Sequence, residues 1–404
     1  MMEKKIMGKK YIFCLALLII CLGCVTGCSR RNSEESDAAA ISEADNQSQL
    51  SETSKESEGE PANSASVEET TKKDDSEADD AGNTTGDEVL NEINIENKGD
   101  DNSIDENSSQ EEQEPQKKVD LIVFSGQSNM SGCGGDASLA PKVSEEAGGE
   151  FRAISDPTRL YPITEPFGIN ENNINGLLEK PGGKKGSMVS AFINEYHEKT
   201  GNYVVAVSAS RGETAMSQWL EEPVQTDVLT RFIMAKQWLE SNDYVIEHMY
   251  MVWLQGESDA LKNLSADAYK TNLDDFIRPL FMGGLQKVFI VTPGRTIDSN
   301  GIYNTIINAQ LDICKNSGYY ALATSVLSGV STEYMVDIYH YNQHVLNMVG
   351  VLSADSAAYY TVNNKEMTLY DYKNKGLFIP EGGEEKLIDD SLLDLSAIDI
   401  NEIY

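Results

Sequence analysis

Ser128, His340 and Asp337 are the residues whose types and spacing suit chemistry in this chain. Ser128 follows Val119-Asp120-Leu121-Ile122-Val123-Phe124-Ser125-Gly126-Gln127. The apolar run reads as a buried strand of a parallel sheet, bounded by charge before it and by glycine after it. A serine just past the C-terminal end of such a strand stands where open α/β sheets place ligands. Held there in a tight turn, its hydroxyl can attack an acyl carbon if a neighbouring base takes the proton.

The chain has four histidines. His197 lies in an amphipathic helical pattern and is expected to face solvent. His248 begins a strand beside Glu247, and His344 follows His340 by one helical turn. In Val336-Asp337-Ile338-Tyr339-His340-Tyr341-Asn342 a carboxylate stands three residues before His340, at the mouth of a helix. On a loop, that spacing lets Asp337 accept from one imidazole nitrogen while the other faces a nucleophile. Asp337 would then fix the tautomer and stabilise the imidazolium. The same spacing also occurs in plain surface and capping arrangements.

Two more stretches sit at strand ends. Ser208-Ala209-Ser210-Arg211-Gly212-Glu213-Thr214 offers the N–H of Gly212 to a developing oxyanion, and Trp253-Leu254-Gln255-Gly256-Glu257-Ser258-Asp259 offers the side-chain amide of Gln255. With the Ser128 N–H they would form an oxyanion hole, in which one donor is worth about 3 kcal/mol. The plainer alternative is that they are polar strand-end turns of the kind every α/β sheet has.

Positioning these groups requires a sheet. Strands are expected at 120–124, 203–208, 248–254, 287–292 and 319–325. Helices are expected at 187–200, with Ser187 as N-cap and Gly201 past its end, and at 227–239, 267–280, 303–315 and 341–359. This alternation predicts an α/β fold, a three-layer α/β/α sandwich with a central mostly parallel sheet of flavodoxin-like character. Residues 131–186, rich in Gly and Asn, read as a long irregular insertion beside Ser128, a place for substrate-contacting loops. After Tyr360 the pattern changes to a small β appendage.

The net charge of −34 is concentrated toward the N-terminal part and makes nucleic-acid binding a poor fit. Of the six cysteines, Cys14, Cys21, Cys24 and Cys28 lie in or just after the N-terminal apolar run. Cys133 and Cys314 make neither a disulfide framework nor metal-site spacing, though one bridge between them remains open.

Lys4, Lys5, Lys9 and Lys10 precede an apolar run over residues 11–22, the charged and apolar regions of a secretory signal. Val25-Thr26-Gly27-Cys28 then resembles the bacterial lipobox, which implies cleavage before Cys28, lipidation of its thiol and an extracytoplasmic, membrane-anchored protein. An uncleaved anchor helix or plain secretion would fit the same run. The following acidic, Ser- and Asn-rich segment cannot bury enough apolar surface to offset its ordering entropy, and reads as a disordered linker. The expected organisation is a signal over 1–28, a linker over 29–117, a catalytic domain over 118–358 and an extension over 359–404.

The motifs Gly126-Gln127-Ser128-Asn129-Met130, Arg211-Gly212-x-Thr214 leading to Trp219, Trp253-x-Gln255-Gly256-Glu257-Ser258-Asp259 and Asp337-x-x-His340 occur in that order. Together they resemble the sialate O-acetylesterase-type, carbohydrate acetylesterase family of the SGNH hydrolase superfamily, over roughly residues 119–350. The resemblance implies a three-layer α/β/α fold and a serine esterase releasing acetyl groups from sialic acid, xylan or related glycans. It implies no metal and no organic cofactor. By position, Ser128 matches the nucleophile, His340 the base and Asp337 its orienting partner. Ser128, Gly212 and Gln255 match the oxyanion hole, with Asn129, Glu257 and Asp259 in support. Glu257 and Asp259 read as hydrogen-bonding neighbouring loops, and Trp219 as packing rather than sugar stacking. The chain departs from the family at Glu213, where Gly is usual. Either Glu213 distorts the hole or it lines the substrate site. A catalytically weak glycan-binding lipoprotein on the same fold is the alternative.

Overall fold

The computed structural model describes residues 116–382 and 394–399. The expected lipobox at Cys28, the expected linker and most of the segment after 382 lie outside the described residues. The described residues belong to one unit, Ile104–Tyr404.

Residues 119–126 are buried throughout β1 (Lys118–Gly126), as a strand covered on both faces requires. It leads into a one-turn helix, α1 (Ser128–Ser131), and then into the two short strands β2 (Gly148–Phe151) and β3 (Leu160–Tyr161). After α2 (Val189–Thr200) the chain forms β4 (Tyr203–Ser210), then α3 (Met216–Trp219) and α4 (Glu222–Ser241). Next come β5 (Val245–Leu254), α5 (Glu257–Leu261), α6 (Ala266–Met282), β6 (Lys287–Val291), α7 (Asn304–Asn316) and β7 (Tyr320–Thr324). The long α8 (Gln343–Asn363) precedes the hairpin β8 (Leu369–Asp371) and β9 (Gly376–Phe378).

The strand order is β3-β2-β4-β1-β5-β6-β7. Every neighbouring pair is parallel except β2 with β3. One helical layer is α2 packed along α8; the other has α6 touching α4 and α7. This is the three-layer sandwich that the alternation predicts. The chain leaves β1 toward β2 and β4, then crosses to β5, β6 and β7. The order therefore reverses at β1, and the crevice of such a reversal lies at the carboxyl ends of the strands, where Ser128 stands.

Three local expectations change. The insertion over 131–186 is not wholly irregular, because Gly148, Gly149 and Glu150 pair with β4. That pairing is a tertiary event with no local alternation to announce it. Ser187 is not the N-cap of α2. Met188 holds that position, while the Ser187 hydroxyl accepts from the Val189 N–H at 3.1 Å and donates to Glu165 at 2.7 Å. Gly201 does end the helix, in the left-handed conformation at φ 73°. The open Cys133–Cys314 pairing is also resolved, since both thiols are free. The β8–β9 hairpin is the expected appendage, hooked to the end of β7 by the Tyr372 N–H on Ser325 Oγ at 3.0 Å. Among the described residues no helix is long and apolar enough to cross a membrane.

Candidate active site

The serine turn is set by Gly126, at φ +139°. A Cβ there would lie 2.0 Å from the Leu254 carbonyl oxygen, so no side chain fits where β1 ends against β5. The Gln127 N–H donates to that carbonyl at 2.9 Å, and the chain turns at once into α1 with Ser128 as its first residue. First-turn amides have no acceptor within their helix, which leaves the Ser128 N–H directed outward. Gln127 Oε1 accepts from the Ser258 N–H at 3.3 Å and ties this turn to the start of α5, just after β5.

Asp337 and His340 lie on the loop before α8. His340 Nδ1 is 2.8 Å from Asp337 Oδ2, while Asp337 Oδ1 accepts from the N–H groups of Tyr339 and His340, both at 2.9 Å. Partial burial alone would raise the Asp337 carboxyl. The imidazole hydrogen bond and the two backbone N–H groups outweigh it and hold the carboxyl below its usual range.

Asn129 brings this loop to the serine. Its Nδ2 donates to the Tyr339 carbonyl at 3.2 Å, and its Oδ1 accepts from the Tyr341 N–H at 3.3 Å. The residue after Ser128 thus grips the backbone on both sides of His340. Nδ2 also donates to Glu257 at 3.0 Å. Glu257 is buried, which raises its carboxyl, and its Oε2 has no partner among the described residues. Gly134 lies so near the same loop that a Cβ on it would fall 2.8 Å from the His340 Cβ. These contacts hold the His340 loop against the serine turn. Among the described residues Ser128 Oγ has no hydrogen-bond partner, which leaves its hydroxyl available.

Gly212 also reaches the serine: a Cβ on it would lie 3.4 Å from the Ser128 Cβ. Its N–H donates to Glu179 Oε2 at 2.7 Å. Glu213 adopts φ +58°, a conformation that glycine takes without strain and other residues take at a cost of about 1 kcal/mol. Its side chain points outward and pairs with Lys180.

Gln255 corrects the expectation of a side-chain oxyanion donor. It is fully buried, and its Nε2 donates to the Thr214 carbonyl at 2.9 Å and to Asp259. Tyr269 donates to its Oε1 at 3.1 Å. With both amide hydrogens engaged in the core, Gln255 braces the two loops and does not face Ser128. Asp259 also accepts from the Met216 N–H at 2.9 Å, fixing the start of α3. Trp219 is fully buried against Trp253, 5.1 Å between ring centroids, and packs rather than stacks on ligand.

The other histidines are held elsewhere: His197 at the Asn202 carbonyl, His248 at Asp120, His344 at Asp394. Cys133 lies beside Ser128 in sequence, but burial pushes its thiol up to about 12, too high for a rival nucleophile. Among the described residues no three His, Cys, Asp or Glu side chains gather to hold a metal. The sequence motifs do not point to Glu179, to Tyr269, or to Gln310, whose Nε2 donates to the Gln255 carbonyl and to Tyr269 Oη, both at 2.7 Å. The one local sign at Glu179 is the Lys180-Pro181-Gly182-Gly183 turn that follows it.

The sequence model of the family described as carbohydrate esterase, sialic acid-specific acetylesterase matches residues 118–357. No curated protein matches the chain. Among solved structures it is similar to a protein of Arabidopsis thaliana, at 18% identity over 62% of this chain and 99% of that one, with a TM-score of 0.46. It is similar to NanS at 13% identity over 62% and 99% of the two chains, TM-score 0.42. A carbohydrate acetylesterase from Xanthomonas citri is similar at 14% identity over 62% of this chain and 59% of that one, TM-score 0.40. With more than half its length matched by the family model, the chain belongs to the carbohydrate esterase, sialic acid-specific acetylesterase family and is a carboxylic-ester hydrolase.

Proposed function

We propose that this esterase is exported, lipid-anchored at Cys28, and removes acetyl groups from sialic acid, xylan or a related glycan with Ser128, His340 and Asp337. The observation that carries the assignment is the grip of Asn129 on the peptide units either side of His340. It couples the base to the residue beside the nucleophile. In this reading Ser128 Oγ attacks the acetyl carbonyl and His340 Nε2 takes its proton. Asp337, on Nδ1, keeps the tautomer and stabilises the imidazolium. The oxyanion is received by the N–H groups of Ser128 and Gly212, and His340 then activates the water that releases acetate. Val336, Ile338 and Tyr339 are exposed beside His340, an apolar rim suited to a sugar face and an acetyl methyl.

The domain organisation belongs to the same proposal: signal 1–28, linker 29–117, catalytic domain 118–358, extension 359–404. The tether would place the domain outside the cell membrane, within reach of glycans. The test is acetate release by the full chain from p-nitrophenyl acetate, acetylated xylan and O-acetylated sialic acid, with Ser128→Ala alongside. Release that disappears in the variant is expected, and the preferred glycan names the substrate. Release that persists in Ser128→Ala removes the serine mechanism. Metabolic labelling with a fatty-acid probe, lost in Cys28→Ala, tests the anchor.

A further inference from the structure

The Gly212 N–H, an oxyanion donor in the reading above, is already engaged by the Glu179 carboxylate at 2.7 Å. Glu179 is 5% exposed. Its other oxygen accepts from the Lys180 N–H at 3.0 Å, and its own N–H donates to Asn172 at 2.9 Å. A Cβ on Gly212 would lie 3.2 and 3.4 Å from the two carboxylate oxygens and 3.4 Å from the Ser128 Cβ. Nucleophile, donor and carboxylate therefore share one small space. A carboxylate there has the charge and shape of the product acetate. A developing oxyanion needs the same N–H, and two anions at that distance repel.

We propose that Glu179 is a built-in plug of the oxyanion hole, and that an ester is bound productively only when the turn carrying Glu179 withdraws. The inference rests on the assignment of Ser128 and Gly212 to the site.

The turn is shaped around this carboxylate. At Gly183 a Cβ would fall 2.6 Å from Glu179 Oε1 and 2.8 Å from its Cγ, so even a methyl group would displace it. Lys184 is buried nearby, with Nζ donating to Ser210 Oγ at 2.8 Å. Burial pulls its ammonium down to about 8, against an opposing pull from Glu179, so the two charges support each other in the closed arrangement.

Lys180 adds a latch. It pairs with Glu213, and both side chains are about two-thirds exposed, at 68% and 70%. Glu213 holds a left-handed backbone that glycine would take freely. A glycine at 213 could make no such pair, so Glu213 supplies a strap between the plug's turn and the oxyanion loop. Exposed ion pairs are weak and screened by salt, which suits a contact that must open.

The test is steady-state hydrolysis of p-nitrophenyl acetate by the full chain as wild type, Glu179→Ala, Gly183→Ala and Glu213→Gly. Glu179→Ala is expected to raise kcat/KM on the order of tenfold or more, since a blocked donor withholds an effect of that size or larger. Gly183→Ala, which keeps the carboxylate but displaces it, is expected to raise it less, and Glu213→Gly a few-fold. Added salt is expected to narrow the gap between wild type and Glu213→Gly. Acetate is expected to inhibit Glu179→Ala more strongly than wild type, because the vacated place accepts it. A purely structural Glu179 would not move that inhibition. Ser128-dependent hydrolysis that is no faster in Gly183→Ala and Glu213→Gly, both melting cooperatively, overturns the plug. So does a folded Glu179→Ala that is slower than wild type. No Ser128-dependent hydrolysis in any form overturns the esterase role of Ser128 itself, and the plug with it.

Discussion

Two Asp–His pairs in this chain have the same length and different surroundings. His248 Nδ1 lies 2.8 Å from Asp120, and His340 Nδ1 lies 2.8 Å from Asp337. Asp120 stands near the start of β1, roughly 20 Å from Gly126 at ~3.3 Å per strand residue. It is fully buried and also accepts from Tyr196 Oη at 2.7 Å and Asn202 at 2.8 Å. The His248 ring stacks on Tyr250, 5.4 Å between centroids. That pair joins β1, β5 and α2 at the closed end of the sheet. Asp337 is half exposed on a loop, and its second oxygen, Oδ1, shapes the backbone under His340. The length of an Asp–His hydrogen bond therefore does not mark a catalytic pair. What sets the Asp337–His340 pair apart, and carries its proposed role, is that Asn129, the residue after Ser128, binds the backbone on both sides of His340.

The largest expected contrast comes from the histidines. His340→Ala is expected to lower kcat/KM by roughly 10³–10⁴-fold with little change in the melting midpoint, because it removes the general base of the proposed mechanism. His248→Ala is expected to leave kcat/KM near wild type and lower the midpoint. Calorimetry and ester kinetics on both variants check the crossing, and a slow but fully stable His248→Ala would break the comparison. Next, Asp337→Asn is expected to lower kcat on the order of 10³-fold through the wrong tautomer. Asp120→Asn is expected to cost about 1–3 kcal/mol of stability, since one buried acceptor site becomes a donor among three donors. Urea unfolding separates the two.

Asn129→Ala sharpens the comparison by cutting what links His340 to the serine. A displacement of the base of about 1 Å is expected to lower kcat about 10²-fold, read by kinetics at saturating ester. The smallest effect is on pH. The hydrogen bond that the His248 imidazole donates to Asp120 raises its pKa, against burial that lowers it. The pair's contribution is thus fully present below the unfolded imidazole value, about 6.5, and is lost as pH rises through the higher folded value. The stability difference between wild type and His248→Gln is expected to shrink over that rise, as melts across the range would show.

Much of this architecture is legible in the chain, for a physical reason. Parallel strands covered on both faces must be continuously apolar, so 120–124, 248–254 and 287–292 announce themselves. Gly148-Gly149 does not, because its place in the sheet comes from β4. The site divides the same way. Ser128, Gly212 and His340 sit at strand ends or a helix mouth, which local pattern predicts. Gln255 misleads, because a polar side chain at a strand end faces the crevice or the core according to what lies behind it. Here Tyr269 and Asp259 engage it in the core.

The sequence by itself determined the alternation of strands and helices, the order of the four motifs and the serine turn that Gly126 permits. These depend on residues within a few positions of one another, where periodicity, glycine and charge act directly. Only the tertiary structure decided that Asn129 grips the loop of His340, that Gln255 turns inward, and that Glu179 lies on the Gly212 N–H. Apart from the Gln255–Asp259 bond, those contacts join residues well separated in the chain. Their hydrogen-bonding groups meet only after the layers have packed, and no local pattern encodes a distance that packing creates.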